Sequence, residues 1–172
     1  GVYLLKANAY GKFVAELEME DQYVNPIGNL MEVGGSYYFF CMSSANVEAQ
    51  LVQMDENAGN ITITPVGLTY PSASALDGSD LLLLSYNHAD RETVMSLHST
   101  TGDRQNAIGY NIGAGDEVEE PIINHFLHTA KRFPFQVGKM PNGSYFFNGF
   151  VNYTFSLVFT DFSSNSGIVQ GQ

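Results

Sequence analysis

Four residues in one short segment have types and spacing that could do chemistry: His125, His128, Lys131 and Arg132. On a helix, imidazoles three residues apart are neighbours and can face one metal ion. Lys131 and Arg132 fall on the same arc, however, and their charge disfavours a further cation there. No cysteine accompanies the pair, and no second helix supplies the Glu-x-x-His arrangement of di-metal bundles. The set therefore reads as a contact patch for an anionic ligand or partner rather than as a metal site. Neither a metal nor another cofactor is expected. The plainer alternative is salt bridging to nearby acids, which adds little stability where exposed.

Other residues offer less. "DENAGN" (Asp55 to Asn60) is acidic, but it lacks the spacing and distal bidentate Glu of a calcium loop and reads as a hairpin turn. There is no Gly-x-Ser-x-Gly elbow and no phosphate-cradling glycine loop. Ser36, Ser79 and Ser144 recur at matching places, so they read as turn chemistry rather than as a nucleophile. His88 and His98 stand beside strand ends with no partner identifiable from sequence. Cys41, the single cysteine, lies in an apolar run and reads as a buried structural thiol. Asn60-Ile61-Thr62, Asn142-Gly143-Ser144 and Asn152-Tyr153-Thr154 match glycosylation sequons, which matter only in a eukaryotic secretory setting.

The elements that must position these residues come from a chain of 172 residues, 44% hydrophobic, enough for one domain with a substantial core. Its net charge of −11, with seven Lys plus Arg, repels polyanions and anionic leaflets. Nucleic acid and membrane surfaces are thus poor partners. Apolar runs such as Tyr37 to Met42 are far short of the ~20 residues that span a bilayer.

A pattern recurs along the chain. Gly-Ser leads into an apolar run at "GGSYYFF" (Gly34 to Phe40), "DGSDLLLL" (Asp77 to Leu84) and "NGSYFFN" (Asn142 to Asn148). Beyond each run comes a second strand pattern, polar turn residues and a glycine. The turn glycines are Gly11, Gly59, Gly102 and Gly167, and Pro26, Pro71 and Pro134 precede the Gly-Ser pairs. Each unit can be written as four strands: 27–33, 37–43, 47–55 and 60–66 in one, then 72–76, 80–86, 92–98 and 104–112. The last unit gives 135–140, 144–151, 153–161 and 167–170.

The second strand of each unit is apolar on both faces, which indicates burial on both sides rather than one wet face. Four-stranded antiparallel sheets repeating every ~40–50 residues describe a β-propeller. The expected domain is all-β over residues 1–172, with a partial blade at about 1–20 and blades at about 26–67, 71–112 and 134–171. Tyr38, Phe40, Leu82, Leu84 and Phe146 are expected to be buried between blades. A β-sandwich with shared turn chemistry is the alternative.

The lines "VYLLKANAYGKF" and "GGSYYFFCMSS…AQLVQMDENAGNITIT" resemble blades of secreted bacterial propeller proteins, whose repeat reads roughly "DGGYIVAGYT…DAYLIKTDxNGN". The similarity covers most of the chain outside residues about 114–132. The Trp that often ends the fourth strand in that family is missing here. The resemblance implies an extracytoplasmic or secreted propeller and carries over no catalytic residue.

The repeat breaks at residues 114–133, where the apolar period becomes helical. Acids from Asp116 to Glu120, then Pro121, suit a helix start; Lys131 and Arg132 suit its last turn, and Pro134 stops it. Ile122, Ile123, Phe126, Leu127 and Ala130 share the apolar arc.

The chain opens at what reads as the third strand of a blade and finishes with a fourth. Open strand edges are hazards that soluble proteins avoid. Association with another chain, or with the rest of a longer protein, is therefore expected. The functional expectation is a non-enzymatic binding or scaffold module that uses a propeller face for protein or glycan contact. The alternative is a hydrolase or lyase with its site at a central channel. Glu32 and Asp77 are the acids that the first strands offer it.

Overall fold

The computed structural model describes residues 2–19, 23–43, 46–57, 59–87, 92–110, 136–151, 154–162 and 167–170. All regular structure among them is β, in four antiparallel sheets. The first sheet is the hairpin β1 (Val2–Ala7) and β2 (Phe13–Met19). The second holds β3 (Tyr23–Val33), β4 (Ser36–Ser43), β5 (Glu48–Met54) and β6 (Thr62–Thr69). The third holds β7 (Pro71–Asp77), β8 (Asp80–Asn87), β9 (Glu92–His98) and β10 (Arg104–Tyr110). The fourth holds β11 (Val137–Lys139), β12 (Tyr145–Val151), β13 (Thr154–Thr160) and β14 (Gly167–Gln170). In each sheet the strands lie in chain order, so every sheet is a meander. The helical pattern at 114–133 lies outside the described residues.

Turn chemistry sets these sheets. Between β3 and β4, Gly34 and Gly35 both take positive φ, 60° and 82°, while Val33 pairs with Ser36. This is the two-residue turn whose twist matches that of the strands, and a Cβ would strain it at both positions.

Three other hairpins share a longer turn built on a side-chain acceptor. Lys12 N donates to Asn8 Oδ1 at 3.0 Å, Gly59 N to Asp55 Oδ1 at 2.8 Å, and Asp103 N to Ser99 Oγ at 3.2 Å. In each, the backbone N–H of the acceptor residue also donates to the carbonyl four residues on. These turns join β1 to β2, β5 to β6 and β9 to β10. The last two join third to fourth strands of their sheets, and β1–β2 shares their turn. Met140, at the β11–β12 turn, makes the same backbone bond to Ser144 but has no side-chain acceptor to copy the motif. Among the described residues of the Asp55 turn, Asn60 takes positive φ, 50°, and Gly59 does not.

The core forms between stacked sheets. Met31, Tyr38, Phe40 and Leu51 of the second sheet pack with Leu81, Leu83 and Val94 of the third. On the other side of the third sheet, Ala73, Leu82, Leu84 and Met95 pack with Val137, Phe147 and Val158 of the fourth. β8 thus buries alternate residues into both neighbours, as its unbroken apolar run requires. Full burial of each such large side chain contributes about 1.5–3 kcal/mol. A third cluster, Phe39, Cys41, Val52 and Met54, occupies the opposite face of the second sheet.

Tyr38, Phe40, Leu82 and Leu84 are buried as expected, but Phe146 is only partly so. Its neighbour Phe147 is fully buried against the third sheet. Adjacent strand residues point to opposite faces, so Phe146 looks away from the stack, where no sheet among the described residues covers it. Its ring lies over Gly138, where an added Cβ would come within 2.9 Å of a ring carbon.

The first strands of successive sheets lie side by side, β3 against β7 and β7 against β11. Tyr110 on β10 ties the outer part of the third sheet to the fourth through a hydrogen bond to Thr160 on β13.

Candidate functional site

His125, His128, Lys131 and Arg132 lie outside the described residues, as does His88. Among the described residues, the densest set of ionisable groups joins the third sheet to the fourth. Lys139 Nζ lies 2.7 Å from Asp77 Oδ1 and 3.0 Å from Oδ2, and the Tyr145 hydroxyl donates to Oδ2 at 2.6 Å. The Lys139 ammonium also sits 5.4 Å from the centre of the Tyr145 ring, which stacks edge-on with Phe162 at 4.8 Å.

Three elements make this cluster. Asp77 ends β7 at its turn, Lys139 ends β11, and Tyr145 opens β12 directly opposite Lys139. Burial pushes the Asp77 carboxyl up, but hydrogen bonds from Lys139 and Tyr145, with the lysine charge, hold it below the usual carboxylate range. Both oxygens are already engaged by donors. The arrangement is suited to clamping two sheets together and leaves no unengaged base. Residues 62 and 68 apart meet here, and only the shared hairpin geometry of first strands could have hinted at it from sequence.

His98 now has partners. Its Nδ1 lies 3.2 Å from the Gly102 carbonyl and its Nε2 2.8 Å from Ser96 Oγ. A carbonyl only accepts, so Nδ1 carries the hydrogen; in the neutral ring Nε2 then accepts from the serine hydroxyl, which has the Leu83 carbonyl as a longer second acceptor at 3.4 Å. That is the pairing of a nucleophile with its base, yet both side chains are fully buried. Burial, and secondarily the charge of Arg104, push the His98 pKa down despite the bond to Gly102, which favours the charged form. It is a neutral core histidine, packed edge-on against Phe40 of the second sheet at 5.9 Å. The i, i+2 spacing of Ser96 and His98 on a strand was the available signal.

The Asp55 loop is turn chemistry as expected. Its carboxylate accepts from Asn57 N, Gly59 N and Asn60 Nδ2 at 2.8–2.9 Å, which holds its pKa down. Cys41 is buried, and burial pushes its thiol up to about 11. A thiol in that state is a poor nucleophile. Among the described residues no group of three His, Cys, Asp or Glu side chains gathers to hold a metal.

The remaining feature is a surface. Leu5, Tyr10, Phe13 and Val14 of the first hairpin are 66%, 96%, 57% and 55% exposed. Leu5 and Ala7 alternate with Lys6, whose ammonium donates to the Glu56 carbonyl of the second sheet at 3.0 Å. Ala7 pairs with Phe13 across the hairpin. Leu5 and Ala7 therefore lie on the face of β1 opposite the Lys6 contact. Exposed large apolar residues thus recur within this one hairpin, where single scattered ones would need no explanation.

No protein-family model matches the chain, and no curated protein matches it.

Proposed function

We propose that the chain is a non-enzymatic binding or scaffold module, extracytoplasmic or secreted, built as a run of β-propeller blades that engages a protein. The observation that carries this reading is the exposed apolar group of the β1–β2 hairpin, Leu5, Tyr10, Phe13 and Val14. Exposed aromatic side chains such as Tyr10 and Phe13 are the type enriched at the centre of protein interfaces. A glycan stacks best on flat aromatic platforms, and the chain has no Trp, so protein is the favoured ligand.

The propeller reading is supported by the side-by-side first strands β3, β7 and β11 and by the recurring outer-hairpin turn. Meander sheets that touch through their first strands and stack face to face are the units of such a fold. The extracytoplasmic setting rests on the resemblance of the repeat to secreted propeller proteins.

The test is to screen the purified chain against a displayed peptide library, a glycan array and a panel of polysaccharides with product detection. Saturable peptide binding without turnover supports the reading. Turnover of a polysaccharide would favour the hydrolase or lyase alternative instead.

A further inference from the structure

We infer that the edge of β1 left unpaired among the described residues, together with the adjoining face of β3, is a docking site for an antiparallel β-hairpin with the chemistry of a first and second strand, paired strand to strand along β1. The inference rests on the blade reading above and names the kind of partner. It follows from comparing equivalent positions in the three larger sheets.

The residues facing one another at the first hairpin of each sheet are Glu32 with Tyr37, Leu76 with Leu81, and Lys139 with Tyr145. Two residues earlier on each first strand stand Leu30, Ser74 and Val137. Ser74 is 4% exposed, covered by β3 of the preceding sheet, and Val137 is 7% exposed, covered by the third sheet. Leu30 is 50% exposed. Its neighbour Met31 is buried against the third sheet, while Leu30, at the end of the stretch where the β3–β4 register shifts, is left uncovered.

The β1–β2 hairpin adjoins β3 and reaches the Glu56 carbonyl of the second sheet through Lys6, and its turn is that of a third and fourth strand. In the other sheets the third strand carries a second strand on its inner edge: β4 on β5, β8 on β9 and β12 on β13. Among the described residues β1 pairs with β2 alone. An unpaired strand edge offers backbone donors and acceptors to an incoming strand. One hairpin, laid along β1, would satisfy that edge and cover Leu30 at once. The molecule also shows the chemistry such an occupant needs. Its first strand should carry small residues, as Ser72 to Ala75 do where β7 meets β3. Its second should be apolar on both faces, as Leu81 to Leu84 are.

The test uses the whole chain and a synthetic peptide with the sequence of residues 71–87, carrying added terminal lysines for solubility. The expected result is saturable binding, with amide exchange slowed at least about tenfold along Val2–Ala7 and around Leu30. Leu30→Lys should weaken binding by about tenfold or more, the scale of one lost leucine burial, with the free chain's Tm unchanged. Three results would overturn the inference: no binding, protection confined to the outer face of the fourth sheet, or self-association of the chain that itself protects β1. Should the peptide fail to bind while a displayed protein ligand still binds elsewhere, the binding-module reading stands and the hairpin site does not.

Discussion

Gly28 and Ser74 are in contact at the place where the first strands of two sheets meet. Ser74 Oγ donates to the Ile27 carbonyl at 3.2 Å and accepts from Asn29 N at 3.3 Å, bracketing the glycine on both sides. A Cβ on Gly28 would stand 2.2 Å from that oxygen and 2.5 Å from the Ser74 backbone nitrogen. Gly28 also holds φ 73°, in a stretch where the β3–β4 register shifts. One hydroxyl and one missing side chain thus allow β3 and β7 to lie together, and the stack depends on that approach.

Gly28→Ala is therefore expected to destabilise the fold by at least about 2 kcal/mol, through the positive φ and the clash together. Ser74→Ala, which removes two hydrogen bonds, should cost about 1–2 kcal/mol. Urea denaturation checks both. A Gly28→Ala chain as stable as wild type would mean that β3 and β7 do not approach closely at Gly28 and Ser74.

His98 makes stability depend on pH. Its folded pKa is depressed, so the unfolded chain takes up a proton below about pH 6.5 while the folded chain resists it. This group's contribution is intact above that pH and is lost as the pH falls, with a slope approaching about 1.4 kcal/mol per pH unit. In His98→Gln that slope should disappear between pH 6.5 and 5, before carboxylates titrate. Parallel profiles of stability against pH for the two proteins would refute the buried neutral histidine.

The Asp77 clamp should matter asymmetrically. Asp77→Ala leaves both the Lys139 ammonium and the Tyr145 hydroxyl without their acceptor, whereas Lys139→Ala removes a largely solvated partner. Thermal melts should show a larger drop in Tm for Asp77→Ala than for Lys139→Ala. Because the Asp77 pKa is lowered, its contribution persists above the ordinary Asp value near 3.9 and is lost only as the pH falls below it. Equal drops in the two variants would show that the charge pair, not the tyrosine bond, holds the sheets.

Much of this fold was legible in the residues. The double-faced apolar runs Tyr38 to Cys41 and Leu81 to Leu84 specified strands buried on both sides, because no one-sided sheet tolerates them. Gly34, Gly35 and Gly78 marked the tight turns, because their positive φ suits glycine. What could not be read was which faces end the stack. Phe146 has the same pattern as Tyr38, and only the presence or absence of a covering sheet separates their burial. The clamp was also hidden, since Asp77, Lys139 and Tyr145 meet through sheet stacking that no local pattern encodes. The expected contact patch at His125 to Arg132 falls outside the described residues, while the exposed apolar hairpin carries no distinguishing signal, because its alternation looks like that of any half-buried strand.

The central claim is that Leu30, Ser74 and Val137 occupy one position in three stacked sheets, open in the second sheet and covered in the third and fourth. Single cysteines placed there by Leu30→Cys, Ser74→Cys and Val137→Cys can be timed for maleimide labelling under native conditions, with buried Cys41 as an internal unreactive control. The account predicts rapid labelling in the Leu30→Cys chain. Labelling in the other two should be slow, limited by opening of the structure. Comparable rates at all three positions would contradict it.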